Sequence, residues 1–362
     1  MINCVYIHIP FCEKKCNYCS FCSFSLLKKK NIYLEALLRE IKYFYKKEEL
    51  KTLYFGGGTP SLLEVEDIEK IIKCFNLKEN AEVTLELNPH NINLEKLKNL
   101  KKTKVNRLSV GVQNFDDEIL KVIGRTHTSI EIFDTLKNIE LAGFNNFSID
   151  LMYGLPNQTI KNWQKTLDVA IQTNAKHISL YGLKIEDGTY FSKHPPKSLP
   201  SQDLQAKMYE IAIEKLSKNF THYEFSNFAI NENYISQHNS AYWNCEKYYG
   251  FGLSASGYIK NKRYTNTFNF NEYIKNPIQK EYEILSKEEQ IEEEIFLGLR
   301  LTKGIDFNYI NQKFNIDTYK KYKKEFDKYL AQKLMEKTKN GIKLTTKGIL
   351  LSNEILCDFI NC

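Results

Sequence analysis

Short apolar runs alternate with stretches of helical periodicity along the first 220 residues of the chain. The strand-like runs cover residues 4–9, 52–55, 82–87, 106–112, 146–152 and 177–183. Apolar residues recur at the helical spacing over roughly 31–48, 65–75, 94–101, 129–142, 160–173 and 203–218. Six strand-then-helix units predict parallel strands with right-handed connections, and therefore an α/β fold whose simplest form is a partial (β/α)6 barrel.

The pattern changes after residue 285. Residues 286–301 and 316–335 are helical in character, and Asn340 and Gly341 stand between two extended runs, which is typical of a β-hairpin. With a last helix behind the hairpin, this order predicts a small winged-helix-like α+β domain over residues 286–362. Residues 1–285 form the predicted barrel domain, and residues 220–270, which are rich in Asn, Tyr and Phe, are assigned to it as an extension.

Composition narrows the class of protein. Of the 362 residues, 42% are hydrophobic, which is ample for a core, but no window of about 18 apolar residues predicts a membrane span and no signal-peptide pattern is present. We therefore expect a cytoplasmic protein. Its nine cysteines, five of them within the first 22 residues, favour a metal site over a disulfide framework. The net charge of +7 comes from lysines spread along the helices, so no dense nucleic-acid-binding stripe is expected.

Cys12, Cys16 and Cys19 follow the first predicted strand with the spacing C-x3-C-x2-C. Three thiolates can hold three irons of a [4Fe–4S] cluster and leave the fourth iron free for the amino and carboxylate groups of S-adenosylmethionine. An electron passed from such a cluster to the sulfonium breaks a carbon–sulfur bond and releases a 5′-deoxyadenosyl radical. Zinc is the alternative, although a structural zinc site needs four ligands. Cys22 either closes the open site of the cluster, which would make the cluster a plain electron carrier, or is a bystander.

Glycine and polar residues accompany four further predicted strands. They are Gly57, Gly58 and Thr59 after the second strand, Glu86 in the third, Gln113 at the end of the fourth with Arg125 behind it, and Asp150 in the fifth. Each of them alone is explained by a turn, a cap or a surface position. Because parallel α/β folds place their sites at the carboxyl ends of the strands, the set predicts a ring of ligand-binding residues at one mouth of the barrel.

The stretch "YIHIPF" with the three cysteines behind it, and "GGGTPS" at residues 56–61, resemble the radical S-adenosylmethionine (radical SAM) superfamily. Over essentially its whole length the chain resembles the branch that contains anaerobic coproporphyrinogen III oxidase and the HemW-type haem chaperones. The resemblance implies a radical SAM barrel with a [4Fe–4S] cluster on Cys12, Cys16 and Cys19, and S-adenosylmethionine bound to the cluster. The residues that match contacts to this molecule are Tyr6, Gly57 and Glu86. Those that match contacts to a second such molecule in the oxidase are Tyr18, Gly58, Thr59, Gln113, Arg125 and Asp150.

Three features favour the chaperone branch over the oxidase. Only five residues precede Tyr6, where the oxidases carry a longer segment, and Phe21 stands where the oxidases have a fourth cysteine. Residues 223–243, "YEFSNFAINENYISQHNSAYW", resemble the chaperone segment that ends in His-Asn-x-x-Tyr-Trp. The resemblance therefore implies a chaperone that binds haem and passes it to an acceptor protein. Oxygen-independent coproporphyrinogen III oxidase is the alternative, and an electron donor is expected as a further partner.

His238 in "HNSAYW" is the candidate haem-iron ligand. An imidazole beside Trp243 offers an axial nitrogen and a flat face for a porphyrin, and Cys245 is an alternative ligand. The chain departs from the family at residues 254–256, which read Ser-Ala-Ser where the family usually has a segment ending in Gly-Ala-His. If that histidine is the iron ligand of the family, haem binding in this chain is lost or moved.

Overall fold

The computed structural model describes residues 2–360. Its strands are β1 (Ile2–Ile9), β2 (Glu49–Gly57), β3 (Asn76–Leu87), β4 (Arg107–Gln113), β5 (Phe147–Tyr153), β6 (His177–Gly182), β7 (Thr221–Glu224), β8 (Asn227–Ala229), β9 (Lys247–Phe251), β10 (Ser256–Ile259), β11 (Lys262–Asn266), β12 (Lys280–Ile284), β13 (Ile305–Asp306), β14 (Met335–Lys337) and β15 (Gly341–Leu344).

The α-helices are α1 (Lys30–Phe44), α2 (Val65–Ile72), α3 (Leu94–Lys101), α4 (Asp117–Val122), α5 (Ser129–Leu141), α6 (Ile160–Gln172), α7 (Tyr190–Lys193), α8 (Gln202–Leu216), α9 (Gln237–Trp243), α10 (Phe270–Lys275), α11 (Lys287–Gly298), α12 (Phe307–Phe314), α13 (Thr318–Lys321), α14 (Lys323–Ala331), α15 (Thr346–Leu350) and α16 (Ser352–Cys357). Within residues 2–360, no helix combines the length and the apolar content that crossing a membrane requires.

Twelve strands form one sheet in the order β12-β11-β10-β9-β1-β2-β3-β4-β5-β6-β8-β7. Neighbouring strands from β1 to β6 are all parallel, and helices connect them, which confirms the predicted partial (β/α)6 barrel. β2 and β3 begin earlier than their apolar runs, at Glu49 and Asn76. These two exposed residues face each other in the sheet, so backbone pairing rather than apolar character makes them part of it.

The extension over residues 220–270 completes both edges of the sheet. β7 and β8 lie beside β6, with β8 antiparallel to it, whereas β9 lies parallel to β1 and continues antiparallel into β10, β11 and β12. β7 to β11 are each three to five residues long. Strands this short show no recognisable alternation, so only their pairing partners define them.

Helix α9 connects β8 to β9 and is attached to β2 and β3 of the barrel by hydrogen bonds. The Glu82 carboxylate in β3 accepts hydrogen bonds from the backbone N–H groups of Gln237 and His238, both at 3.0 Å. Nδ1 of His238 lies 2.7 Å from Oγ1 of Thr52 in β2. Thr52 and Glu82 face each other in the sheet, nearer the amino ends of their strands than Gly57 and Glu86 are. Helix α9 therefore closes the amino-terminal end of the barrel and leaves the carboxyl ends available.

The carboxyl-terminal part has a separate apolar core and a three-stranded sheet in the order β13-β15-β14. The predicted hairpin at Asn340 and Gly341 joins β14 to β15. The predicted helix over 316–335 is divided into α13 and α14, and the last helix into α15 and α16. The domain boundary after residue 285 stays a prediction. The separate core supports it, although that core also includes Phe225 from the preceding segment.

A buried ion pair joins the sheet extension to α1. Nζ of Lys280 lies 2.6 Å from Oε1 of Glu40, and the two side chains are 1% and 0% exposed. The Glu40 carboxylate also accepts hydrogen bonds from the Tyr273 hydroxyl, the Asn266 amide and the backbone N–H of Gly252, at 2.6 to 2.8 Å. A buried charge is tolerated when it is paired and hydrogen-bonded in this way. The pair therefore orders the strands that flank β1.

We expect the Glu40→Gln variant to lose about 3–5 kcal/mol of the free energy of unfolding, because it leaves the Lys280 ammonium buried without a counter-charge. Urea unfolding of both proteins measures this difference. The matched control is Glu69→Gln, which breaks the exposed pair of this α2 residue with Lys73 at 3.0 Å and should cause no measurable loss. Equal losses in the two variants would contradict the role assigned to the buried pair.

Candidate functional site: a thiol-lined cavity

The three-cysteine motif lies on the loop between β1 and α1, and backbone hydrogen bonds hold this loop in place. The backbone N–H of Cys12 donates to the carbonyl of Phe24 at 3.1 Å, and that of Cys19 donates to the carbonyl of Cys16 at 3.2 Å. Asn17 ties the loop to α4: its backbone N–H and its side-chain amide donate to the carbonyls of residues 123 and 122, at 3.0 and 2.8 Å. The positions of the thiols are therefore fixed by the backbone.

The loop covers a cavity of about 490 Å³ at the carboxyl ends of the parallel strands. Eleven of the thirteen predicted site residues line it: Cys12, Cys16, Tyr18, Cys19, Gly57, Gly58, Thr59, Glu86, Gln113, Arg125 and Asp150. The structure thus brings together side chains that the sequence spreads over 139 positions, and it does so where parallel α/β folds place ligands. Tyr6 and His238, which were also predicted, lie deeper in the barrel and are not part of the lining.

The Arg125 guanidinium contacts the cysteine loop. Its Nη1 donates to Sγ of Cys16 at 3.6 Å, and its Nη2 donates to the Asn88 amide oxygen and the Gly111 carbonyl at 2.6 and 2.5 Å. The Thr59 hydroxyl donates to Sγ of Cys12 at 3.7 Å. Both donors favour thiolates, which are the forms that bind metal. Burial alone acts the other way and raises the pKa of the Cys19 thiol.

Nε of Arg125 is buried and finds no hydrogen-bond partner among the described residues. Such a donor is costly unless something in the cavity accepts from it. Across residues 2–360, no three cysteine, histidine or acidic side chains converge closely enough for a single metal ion. The three thiols border a shared space instead, and this arrangement suits a multi-atom cluster whose charge Arg125 faces.

Cys22 lies outside this lining. Its Sγ is 4.0 Å from the carbonyl oxygen of Phe268, and its own carbonyl oxygen lies 2.8 Å from Nε2 of His8. The other nitrogen of His8, Nδ1, lies 3.1 Å from the Tyr6 hydroxyl. His8 is therefore a core histidine with both nitrogens engaged, and the position of Cys22 agrees with the bystander interpretation.

The carboxyl groups of Glu86 and Asp150 are among the groups that line the cavity. Glu86 accepts hydrogen bonds from the Tyr54 hydroxyl at 2.8 Å and from the backbone N–H of Gly57 at 3.2 Å. Burial, together with the charge of Asp150, raises the pKa of Glu86 to about 7. Burial also raises the pKa of Asp150, although the Ser109 hydroxyl donates to it at 3.1 Å. A cationic ligand in the cavity would stabilise the charged forms of both groups, and at Glu86 it would replace the proton that this carboxyl shares near neutral pH.

The glycines after β2 allow a close approach to the cysteine loop. Gly57 has a φ of +110°, and a Cβ added there would lie 2.5 Å from the ring of His8. A Cβ on Gly58 would lie 2.6 Å from the carbonyl oxygen of Phe11, and the Gly58 N–H donates to the Ile9 carbonyl at 2.8 Å. A side chain at Gly58 would therefore push the cysteine loop away from β2, and one at Gly57 would displace the ring of His8 in β1, so both positions need glycine.

Gln113 also has an unusual backbone, with a φ of 67° for a residue other than glycine. It stands where the pairing of β4 with β5 shifts register between Gly111 and Gln113. Strained residues of this kind cluster at ligand sites. The irregularity orients Gln113 toward the cavity, whose lining it joins.

His238 occupies the interior of the barrel below Tyr54, on which its ring stacks at a centroid distance of 4.9 Å. Both ring nitrogens are engaged, Nδ1 with Thr52 at 2.7 Å and Nε2 with the Tyr242 hydroxyl at 2.8 Å. Burial lowers the pKa of His238 to about 3, so the ring is neutral. To bind iron it would have to give up one of these bonds. Its role as haem ligand stays a prediction, and its geometry is that of a residue that positions α9.

Sequence reasoning missed several residues of the site. Tyr54, the donor to Glu86, and Ser109, the donor to Asp150, were not singled out, and neither were Asn88 and Tyr181, which also line the cavity. Tyr54 and Ser109 lie on strands beside predicted residues, and a residue-by-residue assignment of strand faces could have found them. Asn88 lies beyond the end of β3, where no sequence periodicity predicts which way a side chain points.

Residues 6–170 match the family model of the radical SAM superfamily, and residues 285–351 match that of the HemN C-terminal domain. The curated "Heme chaperone HemW" of Lactococcus lactis is 38% identical, with 99% of this chain and 97% of that protein covered. The Bacillus subtilis protein of the same name is 37% identical, with 98% of each chain covered.

Among solved structures, coproporphyrinogen III oxidase (HemN) from Escherichia coli, described as a radical SAM enzyme, superposes with a TM-score of 0.86. The superposition covers 99% of this chain and 90% of that one, at 24% sequence identity. At this identity the likeness shows a shared fold, and it confirms the fold class expected from the sequence.

We expect the pH dependence of stability to reveal Glu86. With a pKa of about 7 in the folded protein and 4.5 as the ordinary value, Glu86 keeps its proton when folded but loses it when unfolded between these pH values. The free energy of unfolding therefore falls as pH rises from 4.5 to 7, by on the order of 1–3 kcal/mol.

The Glu86→Gln variant should lose this pH-dependent component. Urea unfolding of cluster-free protein at pH 5 and pH 8 measures it. Parallel profiles of wild type and variant would be inconsistent with the burial of this charge. Glu118→Gln, at an exposed position of α4, is the control that should follow the wild type.

Proposed function

This chain belongs to the HemW family of the radical SAM superfamily, and we propose on this basis that it binds haem and passes it to an acceptor protein. The observation that carries the proposal is the identity of 37–38% to curated haem chaperones over practically the full length of both chains. The full-length coverage is important, because the similarity then includes the segment around "HNSAYW" and the carboxyl-terminal part as well as the barrel. An acceptor protein and an electron donor are the partners we propose, and the cytoplasm, where thiols stay reduced, is the proposed location.

The cavity fits a [4Fe–4S] cluster held by Cys12, Cys16 and Cys19. Support comes from the three thiols on one fixed loop, from the Arg125 guanidinium beside Cys16, and from the buried Arg125 Nε that lacks a partner among the described residues. When bound, such a cluster with S-adenosylmethionine supplies one-electron and radical chemistry. The remaining work falls to the chain, which must hold the thiolates, compensate their charge and shield them from solvent.

For S-adenosylmethionine we propose the polar part of the same cavity. Glu86 and Asp150 present carboxyl groups that a cationic amino or sulfonium group would stabilise in their charged forms. Gly57 and Gly58 leave the space that side chains would fill, and Gln113, Thr59 and Tyr18 complete the wall. Tyr6, which the resemblance also assigned to this ligand, supports the site from below through its bond to His8.

A second candidate function is the oxidative decarboxylation of coproporphyrinogen III. The observation that favours it is the ring of polar residues in the cavity, which the binding and release of haem alone do not require. The similarity to the solved oxidase structure does not add to this argument, because at 24% identity it concerns the fold. The two candidates differ in what they do with a porphyrin: a chaperone releases it unchanged.

We expect anaerobic reconstitution with iron and sulfide to give about four irons and four sulfides per chain. Cys12→Ala, Cys16→Ala and Cys19→Ala should each lose most of both, because each removes one of three protein ligands. Cys22→Ala and Cys74→Ala are matched controls outside the cavity lining and should keep wild-type contents. Elemental analysis and visible absorbance measure the outcome. Zinc in place of iron, with Cys22 as essential as the other three, would establish the zinc alternative instead.

We expect haemin titrated into the reconstituted protein to shift the Soret band with saturation near one equivalent, and the haem to move to apomyoglobin added as an acceptor probe. A flat titration would contradict the chaperone proposal.

The same preparation, incubated with coproporphyrinogen III, S-adenosylmethionine and a reductant, should leave the porphyrinogen unchanged. Formation of protoporphyrinogen would establish the second candidate.

A further inference from the structure

A second large cavity lies at the amino-terminal end of the barrel. It is a cleft of about 590 Å³ between the end of α9 and the carboxyl-terminal part of the chain. Trp243, the last residue of "HNSAYW", forms one wall, and residues from α11 to the β14–β15 hairpin form the other. Glu246, which borders the cleft, pairs with Lys51 at 2.6 Å just inside the amino end of β2. The cleft and the thiol-lined cavity therefore open at opposite ends of the barrel.

The carboxylates along the cleft are already engaged. Glu246 is paired with Lys51, and Glu294 is paired with Lys313 at 2.5 Å. Asp306 accepts hydrogen bonds from the first backbone N–H groups of α12, at 2.8 and 3.2 Å. These negative groups are satisfied within the protein, so the cleft has little remaining demand for a cationic ligand.

Three hydrogen-bond donors along the cleft, by contrast, have no partner among the described residues. Within residues 2–360, the exposed Lys303 and Lys339 form no ion pair or hydrogen bond, and Nε1 of Trp243 is buried without an acceptor. An indole N–H can only donate, and an ammonium group can only donate. The buried indole N–H lacks an acceptor, and the two unpaired lysine charges favour a ligand that carries acceptor atoms and negative charge.

Asn244, Thr338 and Asn340 add polar groups to the lining, and the aliphatic and aromatic residues form its apolar part. Leu301, Ile305 and Ile310 are buried at 7%, 5% and 1% exposure, and the Trp243 ring is fixed by the Arg300 guanidinium stacked over it at 4.5 Å. Flat and aliphatic walls with a few charged groups are what a large ring with carboxylate substituents requires. A haem has that chemistry: an apolar macrocycle and two propionates.

Resting on the proposed function, we propose that haem binds in this cleft, with its ring against Trp243 and its propionates on Lys303 and Lys339. None of the residues that the structure places along the cleft is His, Cys or Met. The tyrosine there, Tyr309, accepts a hydrogen bond from Lys313 at 3.2 Å. Recognition then depends on the ring and the carboxylates, and the iron keeps an exchangeable ligand, which suits a protein that must release its haem.

The test compares porphyrins with and without iron and with and without free carboxylates, titrated into the reconstituted full chain. Haemin and iron-free protoporphyrin IX should bind with dissociation constants within about threefold of each other, and protoporphyrin dimethyl ester at least about tenfold more weakly. The double variant Lys303→Glu/Lys339→Glu should weaken haemin binding by at least about tenfold, and Lys303→Arg/Lys339→Arg should restore it. Trp243→Phe, which keeps a ring but removes the N–H, should weaken it by a few-fold. Lys347→Glu, at an exposed position of α15, is the charge-matched control and should bind as the wild type.

Two results would overturn the inference while leaving the proposed function intact. One is wild-type haemin affinity in the Lys303→Glu/Lys339→Glu protein. The other is a nitrogen-ligated haem spectrum that His238→Ala abolishes, because that would place the iron on His238. Under our inference His238→Ala lowers the affinity by freeing α9, but the spectrum of the haem that still binds stays the same. Failure of the wild type to bind any porphyrin would instead reject the proposed function itself.

Discussion

Parallel pairing of β1 through β6 is the constraint on which the rest of the molecule depends. It sends all six carboxyl ends to one face, where the cysteine loop, Glu86, Gln113 and Asp150 come within reach of a single cavity. Parallel strands need covered faces and closed ends, because their residues are too apolar to meet water. The helices cover the outside, and α9 closes the amino-terminal end. Each chemical feature of the cavity is a consequence of where these strands stop.

The strands also separate the two cavities. At a rise of about 3.3 Å per residue, a strand as long as β1 places its ends roughly 23 Å apart. The thiols lie beyond one end of that length, and the cleft at Trp243 lies at the other. A haem in the cleft would be remote from the reactive part of the radical SAM site, and its ring would survive intact. With haem at the proposed site, a retained radical SAM cavity is compatible with the proposed function, in which the porphyrin is released unchanged.

Helix α9 contacts both the interior of the barrel and the cleft. Its amino terminus is held by Glu82 and its His238 by Thr52, both inside the barrel, whereas its last residue, Trp243, faces the cleft. At the proposed haem site, a histidine inside the barrel would be required for binding without touching haem. The motif "HNSAYW" would then contain both a positioning residue and a contact residue, which sequence spacing does not distinguish.

The sequence by itself determined the six strand-and-helix units, the cysteine motif and the glycines beside it, because apolar periodicity and residue type report local backbone structure and chemistry directly. Eleven of the thirteen predicted site residues line one cavity for this reason: the end of a parallel strand can be located from the sequence, and all such ends share one face. Only the tertiary structure decided the remainder. The short strands of residues 220–270 exist through their partners, α9 lies where Glu82 and Thr52 hold it, and His238 is buried because the barrel surrounds it. Whether a polar side chain meets a ligand or a neighbouring side chain depends on long-range packing, and one-dimensional spacing carries no information about that.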